Sequence, residues 1–502
     1  MMEPAKKRAK GKPELPESMV VRFRQVSSDS NAPASTQLPQ LDVPLDSTVN
    51  QLERLVNELL GNEDRVPFAF YVDSNEIVGS LKLAITDHKL STETVMNIQY
   101  EPLALFRVHP VTRCTDSMPG HTEALLHVSF SPCGTQLASG GGDTTVRFWD
   151  VSSRTPKFVC KGHKNHVLCT AWSPNGKRFA SADKNGEIRV WDPTNGQQIG
   201  KPLIGHKRWV SSISWEPFHL NSACERLITG SKDGTAKVWN VRSGRCEATL
   251  GGHSDAVECV RWGGEGLMYT ASRDKTILVW GARSNNTSSC PFILVRTLAG
   301  HAHRINHIAL STDYLCRTGA FDHTGAATDA TAEESFELAV KRYSAAKAAH
   351  NLSICPFERL VSCSDDLTLY LWHPTVDKKP LQRMHGHQQP VTHICFSPDG
   401  RYLASASFDK KVKLWCGRTG TFIATLTGHV GRVYQVAWAP DSRLLCSASQ
   451  DSTLKIWEVR SPTKAKETLP GHFDEVYALD WSPNGELVAS GGKDRVLKIF
   501  AQ

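Results

Sequence analysis

A Gly-His dipeptide recurs along this chain, with its histidine at His121, His163, His206, His253, His301, His387, His429 and His472, and no other feature restricts its folding as strongly. Successive histidines are 42, 43, 47, 48, 86, 42 and 43 residues apart. A period of about 40 to 45 residues fits one four-stranded sheet in a ring of such sheets, each too thin to bury its faces alone. The step of 86 is then one unit carrying an insertion, which makes eight units. Repetition also lets a chain continue past the roughly 250 to 300 residues at which a single ordinary core stops growing.

Each unit repeats in detail. It closes on an aromatic residue: Trp149, Trp191, Trp239, Trp280, Trp372, Trp415, Trp457 or Phe500. Ten residues earlier stands Ser or Thr (Ser139, Ser181, Thr229, Thr270, Ser362, Ser405, Ser447, Ser490), and six earlier stands Asp, except in the second unit, which has Asn185. Nine residues after each His comes a large apolar side chain, such as Phe130, Trp172 or Trp481, expected to pack between units. These residues resemble the WD-repeat family. The resemblance implies an eight-bladed β-propeller, and in each blade a hydrogen-bonded chain of His, Ser or Thr, Trp and Asp. A buried imidazole and indole N–H each need such a partner. Eightfold repetition at fixed spacing is what a structural unit gives, so these His and Asp residues are not read as metal or acid/base sites. The Gly-rich stretch 139–143 lacks the Gly-Lys-Ser/Thr ending of a phosphate loop, and no nucleophile elbow, H-E-x-x-H run or kinase signature occurs. The expectation is a protein that is not an enzyme.

Blade eight reaches its third strand at Phe500, so its fourth must come from elsewhere. Ala104–Thr115 has strand character without a blade of its own, and is expected to pair there and remove two sheet edges. The insertion in blade five runs roughly over 311–357. Thr331 and Glu334 make a capping box, and Phe336, Val340 and Tyr343 fall on one helical face. Such a helix is either a pad on the propeller side or a docking element.

Composition is ordinary for a globular chain, with 22% charged and 40% hydrophobic residues. No apolar run approaches the roughly 18 residues of a membrane span. Residues 1–13 are basic without an apolar core, so no secretory signal is read. Fourteen cysteines without a C-x-x-C pair fit a reducing compartment and indicate neither a disulfide framework nor a zinc ribbon. The sequons at Asn285, Asn286 and Asn351 are then chance matches. Residues 1–17 form a disordered-looking basic tail, in which Lys6, Lys7, Arg8, Lys10 and Lys12 serve as an import signal, an RNA-contacting tail or merely a soluble end. Residues 18–101 form a second, α+β unit, with strands at 19–25, 41–45, 68–72 and 95–100 and an amphipathic helix at 47–60. This order resembles a ubiquitin-like fold.

A ubiquitin-like unit followed by a WD-repeat propeller over 102–502 resembles the Notchless family. The resemblance is carried by 106–114 (FRVHPVTRC), 205–217 (GHKRWVSSISWEP) and 310–321 (LSTDYLCRTGAF). It implies an assembly factor of the large ribosomal subunit, located in nucleus and nucleolus and monomeric within the particle. The propeller sits on the preribosome, and the ubiquitin-like domain presents a glutamate to the metal-ion-dependent adhesion site of the AAA ATPase midasin. The matching residue is Glu93. No cofactor is intrinsic, because the partner holds the Mg2+, whose near-octahedral oxygen shell a second protein's carboxylate can complete. A ubiquitin-pathway adaptor or a signalling scaffold is the alternative.

Seven of thirteen tryptophans close blades and five stand nine after a His; only Trp209 does neither. It follows Lys207 and Arg208 in the turn after His206. Equivalent turns carry Lys164 and His166, His303 and Arg304, and Arg432, with Tyr434 and Tyr477 nearby, while Glu123, Asp255, Asp474 and Glu475 make other sectors acidic. Interfaces favour aromatic and Arg anchors, so this face is expected to bind a partner protein or ribosomal RNA.

Overall fold

The computed structural model describes residues 18–25, 38–62, 66–72, 75–77, 80–88, 95–103, 106–283, 291–323, 327, 330–350, 357–462 and 464–502. Two compact units divide at Phe106 and Arg107. Glu93, the basic tail and the three sequons lie outside the described residues.

In the first unit, β1 (Ser18–Gln25) pairs antiparallel with β2 (Gln40–Pro44) and parallel with β5 (Met96–Pro102). With β3 (Phe68–Val72) and β4 (Asn75–Glu76) the sheet order is β2-β1-β5-β3-β4. Alternation buries Met19, Val21 and Phe23 on one face of β1. Against that face lies α1 (Val49–Leu60), through Leu52 and Val56. The Thr48 N–H donates to Gln51 Oε1 at 2.8 Å to start α1, and Gly61 ends it at φ +66°. A second helix, α2 (Leu81–His88), was not legible in the sequence, since only Leu81 and Ile85 mark its buried side.

Among the described residues the second unit holds eight antiparallel sheets, here blades one to eight. Their innermost strands pack in succession, and the last, Val476–Trp481, packs on the first, Leu125–Phe130. The ring closes as expected, but only the end of the expected segment pairs: the closing strand β6 (Arg113–Pro119) begins at Arg113 and runs four residues past Thr115. Pro110 offers no N–H to a ladder. Residues 107–112 instead run irregularly, with Val108 and Val111 buried and the Val108 N–H bonded to Asp441 Oδ2 at 2.9 Å. β6 pairs with Val496–Ala501, Cys114 opposite Phe500. Across the joint, the Phe130 N–H of blade one donates to Asp480 Oδ2 of blade eight at 2.8 Å.

Blades one and three to seven form the expected chain in full, and blade eight forms it without an indole, because Phe500 closes that blade. In blade one His121 Nδ1 lies 3.0 Å from Asp143, His121 Nε2 lies 2.8 Å from Ser139 Oγ, and the Trp149 indole donates to the same hydroxyl at 2.9 Å. An ionised carboxylate only accepts, so Nδ1 carries the proton, Nε2 accepts the serine O–H, and the serine oxygen accepts the indole. All four groups are satisfied. Burial raises the carboxyl of Asp143, but hydrogen bonds from the His121 ring, the Thr145 hydroxyl and the Thr122 N–H outweigh it and hold the group well below the usual range. Asp233, Asp274, Asp366 and Asp451 are held down in the same way.

Blade two solves its missing aspartate differently. Asn185 turns outward to accept from the Asn165 amide at 3.1 Å, and the fully buried Asp183 approaches His163 Nδ1 at 3.4 Å. The carboxylate has moved two residues back, from the turn into the strand. Blade two also has three regular strands, its outer edge being covered by isolated bridges to Leu203 and Gln198.

The insertion is not a pad on the side. It leaves the inner strand of blade five at the end opposite the Gly-His turns and crosses that end of the ring. Within it, α3 (Asp313–Thr318) sends Arg317 to blade eight, where it donates to both oxygens of Asp480 at 2.9 and 2.8 Å. Gly319, at φ +54°, ends α3 against blade two, where a Cβ would lie 2.8 Å from the Pro174 carbonyl oxygen; only glycine fits. The longer helix α4 (Ala332–His350) has the expected Thr331/Glu334 capping box. Its packed face is Phe336, Ala339 and Tyr343, whereas Val340 is exposed, because the contact follows i+3 and not i+4 at that turn. Tyr343 stacks on His219 of blade three at 3.8 Å.

Candidate partner-binding face

The Gly-His turns lie together at one end of the strands, and there the residues singled out by sequence fall into three clusters. Blades one to three form the first. Lys164, Lys207 and Arg208 are exposed, and Trp209 is 45% exposed. Lys184, which sequence reasoning passed over, places its ammonium 4.5 Å from the centre of the Trp209 ring, a cation–π contact. Turn geometry brings these residues together. Gly186 at φ +89° lets the blade-two turn press on blade three, where a Cβ would lie 2.6 Å from the Arg208 carbonyl oxygen. Backbone bonds from Lys184 N to His166 O (3.0 Å) and from Lys232 N to Trp209 O (2.9 Å) fix the two rims. His166 donates from Nδ1 to the Gly142 carbonyl at 2.6 Å and stands 3.5 Å from Glu123. Between them opens a shallow cleft of about 260 Å³, with Ala124, Leu126 and Leu168 as its apolar lining and Trp209 and Lys184 at one wall.

Blade five forms the second cluster and corrects the expected charge. Arg304 donates to Asp365 at 2.5 Å, and His303 Nδ1 lies 3.8 Å from the same carboxylate, so this part of the rim is paired and not a bare basic sector. The third cluster spans blades six to eight. Arg432 lies over Phe408 at 4.9 Å, Phe408 meets Tyr434 edge-on at 6.1 Å, and Tyr434 meets Tyr477 at 5.4 Å. The Tyr434 hydroxyl donates to Glu475 at 2.8 Å; burial and then that carboxylate push the phenol above its ordinary value. Beside them Val430 is 76% and Phe473 91% exposed. Their signal was present in the sequence, since the residue after the repeat histidine is polar or small in the other six blades.

The middle of the ring carries a polar network that the sequence did not suggest. His127 lies 2.7 Å from the Thr170 hydroxyl, Arg261 bonds His307 at 2.9 Å and approaches Asp313 at 3.4 Å, and His307 lies 4.4 Å from the His393 ring. These residues are half-buried, and loss of water around their rings, with Arg261 nearby, pushes His127 down to about 4 and His393 down to about 3. Among the described residues no group of His, Cys, Asp and Glu has metal-holding geometry.

Comparison with known proteins gives these surfaces a context. The profile described as "NLE (NUC135) domain" matches residues 19–85, and "WD domain, G-beta repeat" matches 112–150, 154–192, 196–240, 244–281, 378–416, 420–458 and 463–500. The C-terminal WD40 domain of Sif2 superposes with a TM-score of 0.58 at 17% identity, covering 78% of this chain and 98% of that one, a likeness of fold alone. "Ribosome assembly protein 4" of Saccharomyces cerevisiae is 41% identical over 85% of each chain. "Protein Notchless" of Drosophila melanogaster is 50% identical over 72% of each. Identity of this degree over most of the length, with both units matched by their own profiles, makes the chain a member of the Notchless family.

Proposed function

We propose that this chain is a non-enzymatic assembly factor of the large ribosomal subunit, anchored on the preribosome by its propeller and pulled off by midasin through its N-terminal unit. The observation that carries the reading is the 41% identity, over 85% of each chain, to a yeast protein named for ribosome assembly. The sheet order β2-β1-β5-β3-β4, with α1 packed on one face, supports a ubiquitin-like N-terminal unit. In that unit Glu93 is the residue that offers a carboxylate oxygen to the Mg2+ held by midasin's adhesion site. A hard cation with one open position takes such a ligand directly, and a short, directional bond suits the transmission of force. The propeller suits the anchoring role because its ring is closed on itself and strapped at one end by the insertion, which leaves the Gly-His end for contact. The tail basic residues Lys6, Lys7, Arg8, Lys10 and Lys12 direct the chain to the nucleus and nucleolus.

Gradient sedimentation of the tagged protein tests the reading. The expected result is co-migration with particles containing precursor RNA of the large subunit. Sedimentation only as free protein would contradict it.

A further inference from the structure

We propose that the cleft of blades one to three holds an unpaired nucleotide of RNA, its base stacked on Trp209 and its flanking phosphates met by Lys164, Lys184, Lys207 and Arg208, an assignment that rests on the preribosome reading above. Four observations point to this occupant. Trp209 is the one tryptophan of thirteen without a place in the repeat, and it is held half-exposed beside the cleft. Exposed indole is costly to leave in water and stacks on any base. The cations around it have no carboxylate partner: among the described residues Lys164, Lys184, Lys207 and Arg208 have no carboxylate within ion-pair distance, Lys184 covering one face of Trp209 and leaving the other for a base, whereas Arg304 of blade five and Lys232 of blade three are paired with Asp365 and Glu258. Four such cations around an aromatic platform suit a polyanion better than a neutral peptide. Blade two, moreover, is the blade whose turn aspartate is replaced by Asn185, its carboxylate withdrawn into the buried Asp183. This removes an acid from the turn beside Lys164 and Lys184. Finally, the cleft is apolar at Ala124, Leu126 and Leu168 yet has the half-exposed Glu123 carboxylate at its edge. A carboxylate accepts from the amino group of cytosine, adenine or guanine and finds no exocyclic donor on uracil.

The source is single-stranded RNA and not duplex, because a paired base cannot present its face to Trp209. Anisotropy of labelled eight-nucleotide RNAs on the full chain tests this directly. Oligo(C) and oligo(A) are expected to bind more tightly than oligo(U) and than a duplex of equal length. Trp209→Ala should weaken oligo(C) binding about tenfold, and Trp209→Phe, which keeps a stacking face, should retain most of it. Reversing Lys164, Lys207 and Arg208 to Glu should make the slope of log affinity against log salt shallower by about 2. Unchanged melting of the variants shows that the fold is intact. Equal binding by wild type and Trp209→Ala, or preference for duplex, would overturn the assignment. Crosslinking within isolated particles separates it from the reading beneath. If the wild-type chain sediments with large-subunit precursors but the 207–209 peptide crosslinks only to protein, the nucleotide is wrong and the preribosome reading stands. If the wild-type chain is absent from those particles, that reading falls.

Discussion

Asp183 tests the hydrogen-bond logic of the repeat at the level of a single residue. It is fully buried beside His163 and stands in for the turn aspartate that seven other blades place two residues later. Asp183→Ala removes the carboxylate nearest the His163 ring, 3.4 Å away, and the acceptor of the Asn185 and Glu187 N–H groups, and should cost about 1 to 3 kcal/mol in urea unfolding. Adding Asn185→Asp restores a carboxylate where the other blades have one and should recover part of that loss; no recovery would mean that blade two is built on other contacts. The histidines at the ring centre predict a pH dependence. His127 and His393 are held to about 4 and about 3, against an ordinary 6.5, so the folded state favours their neutral form. The stability this brings is whole above pH 6.5 and is lost as pH falls toward 4. Glu358 acts oppositely. Buried beneath Tyr269, Thr312 and the Glu265 N–H, it is pushed up to about 7 by burial, so between 4.5 and 7 it stabilises the fold as pH falls. Melting temperature should therefore drop from pH 6.5 to 4 more steeply in Glu358→Gln than in wild type; equal slopes would contradict the assignment of the two opposing groups.

Two elements hold the ring, and each can be removed. β6 supplies the fourth strand of blade eight and buries Met118, while residues 107–112 add Val108 and Val111. A chain beginning at Asp116 loses the Cys114 and Phe500 pairing and leaves strand edges open. It should aggregate or melt far below a chain beginning at Glu101, as scanning calorimetry would show; equal melting would remove the closure argument. The strap α3 ties blade five to blade eight through the paired bonds of Arg317 to Asp480. Arg317→Ala leaves Asp480 with only the backbone donors Phe130 and Trp481, and is expected to cost about 1 to 3 kcal/mol. Charge-conserving Arg317→Lys should recover only part, since an ammonium cannot make the bidentate contact.

On the scale of the whole molecule, what was legible depended on how local its cause is. The blades could be read because His121, Ser139, Asp143 and Trp149, and their equivalents, meet within one hairpin system, so spacing alone implies contact. Trp209 could be read because it breaks that spacing. The path of the insertion could not, since Arg317 and Asp480 are 163 residues apart and no periodicity links them. Nor could the pairing of Arg304 with Asp365 or the retreat of the carboxylate to Asp183, which are decided by what the fold brings alongside. Residues 91–94, with Glu93, are assigned from resemblance to the Notchless family, and the account of a propeller anchored in the particle and pulled through its N-terminal unit turns on that one carboxylate. The direct measurement is binding of the full chain to the midasin adhesion domain with Mg2+ present. Glu93→Gln supplies a weaker, neutral oxygen and Glu93→Asp draws the charge back by a methylene, so both should lose binding, as should wild type after chelation of the metal, while propeller association with the particle persists. Chelator-resistant binding by Glu93→Gln at the wild-type level would contradict the account.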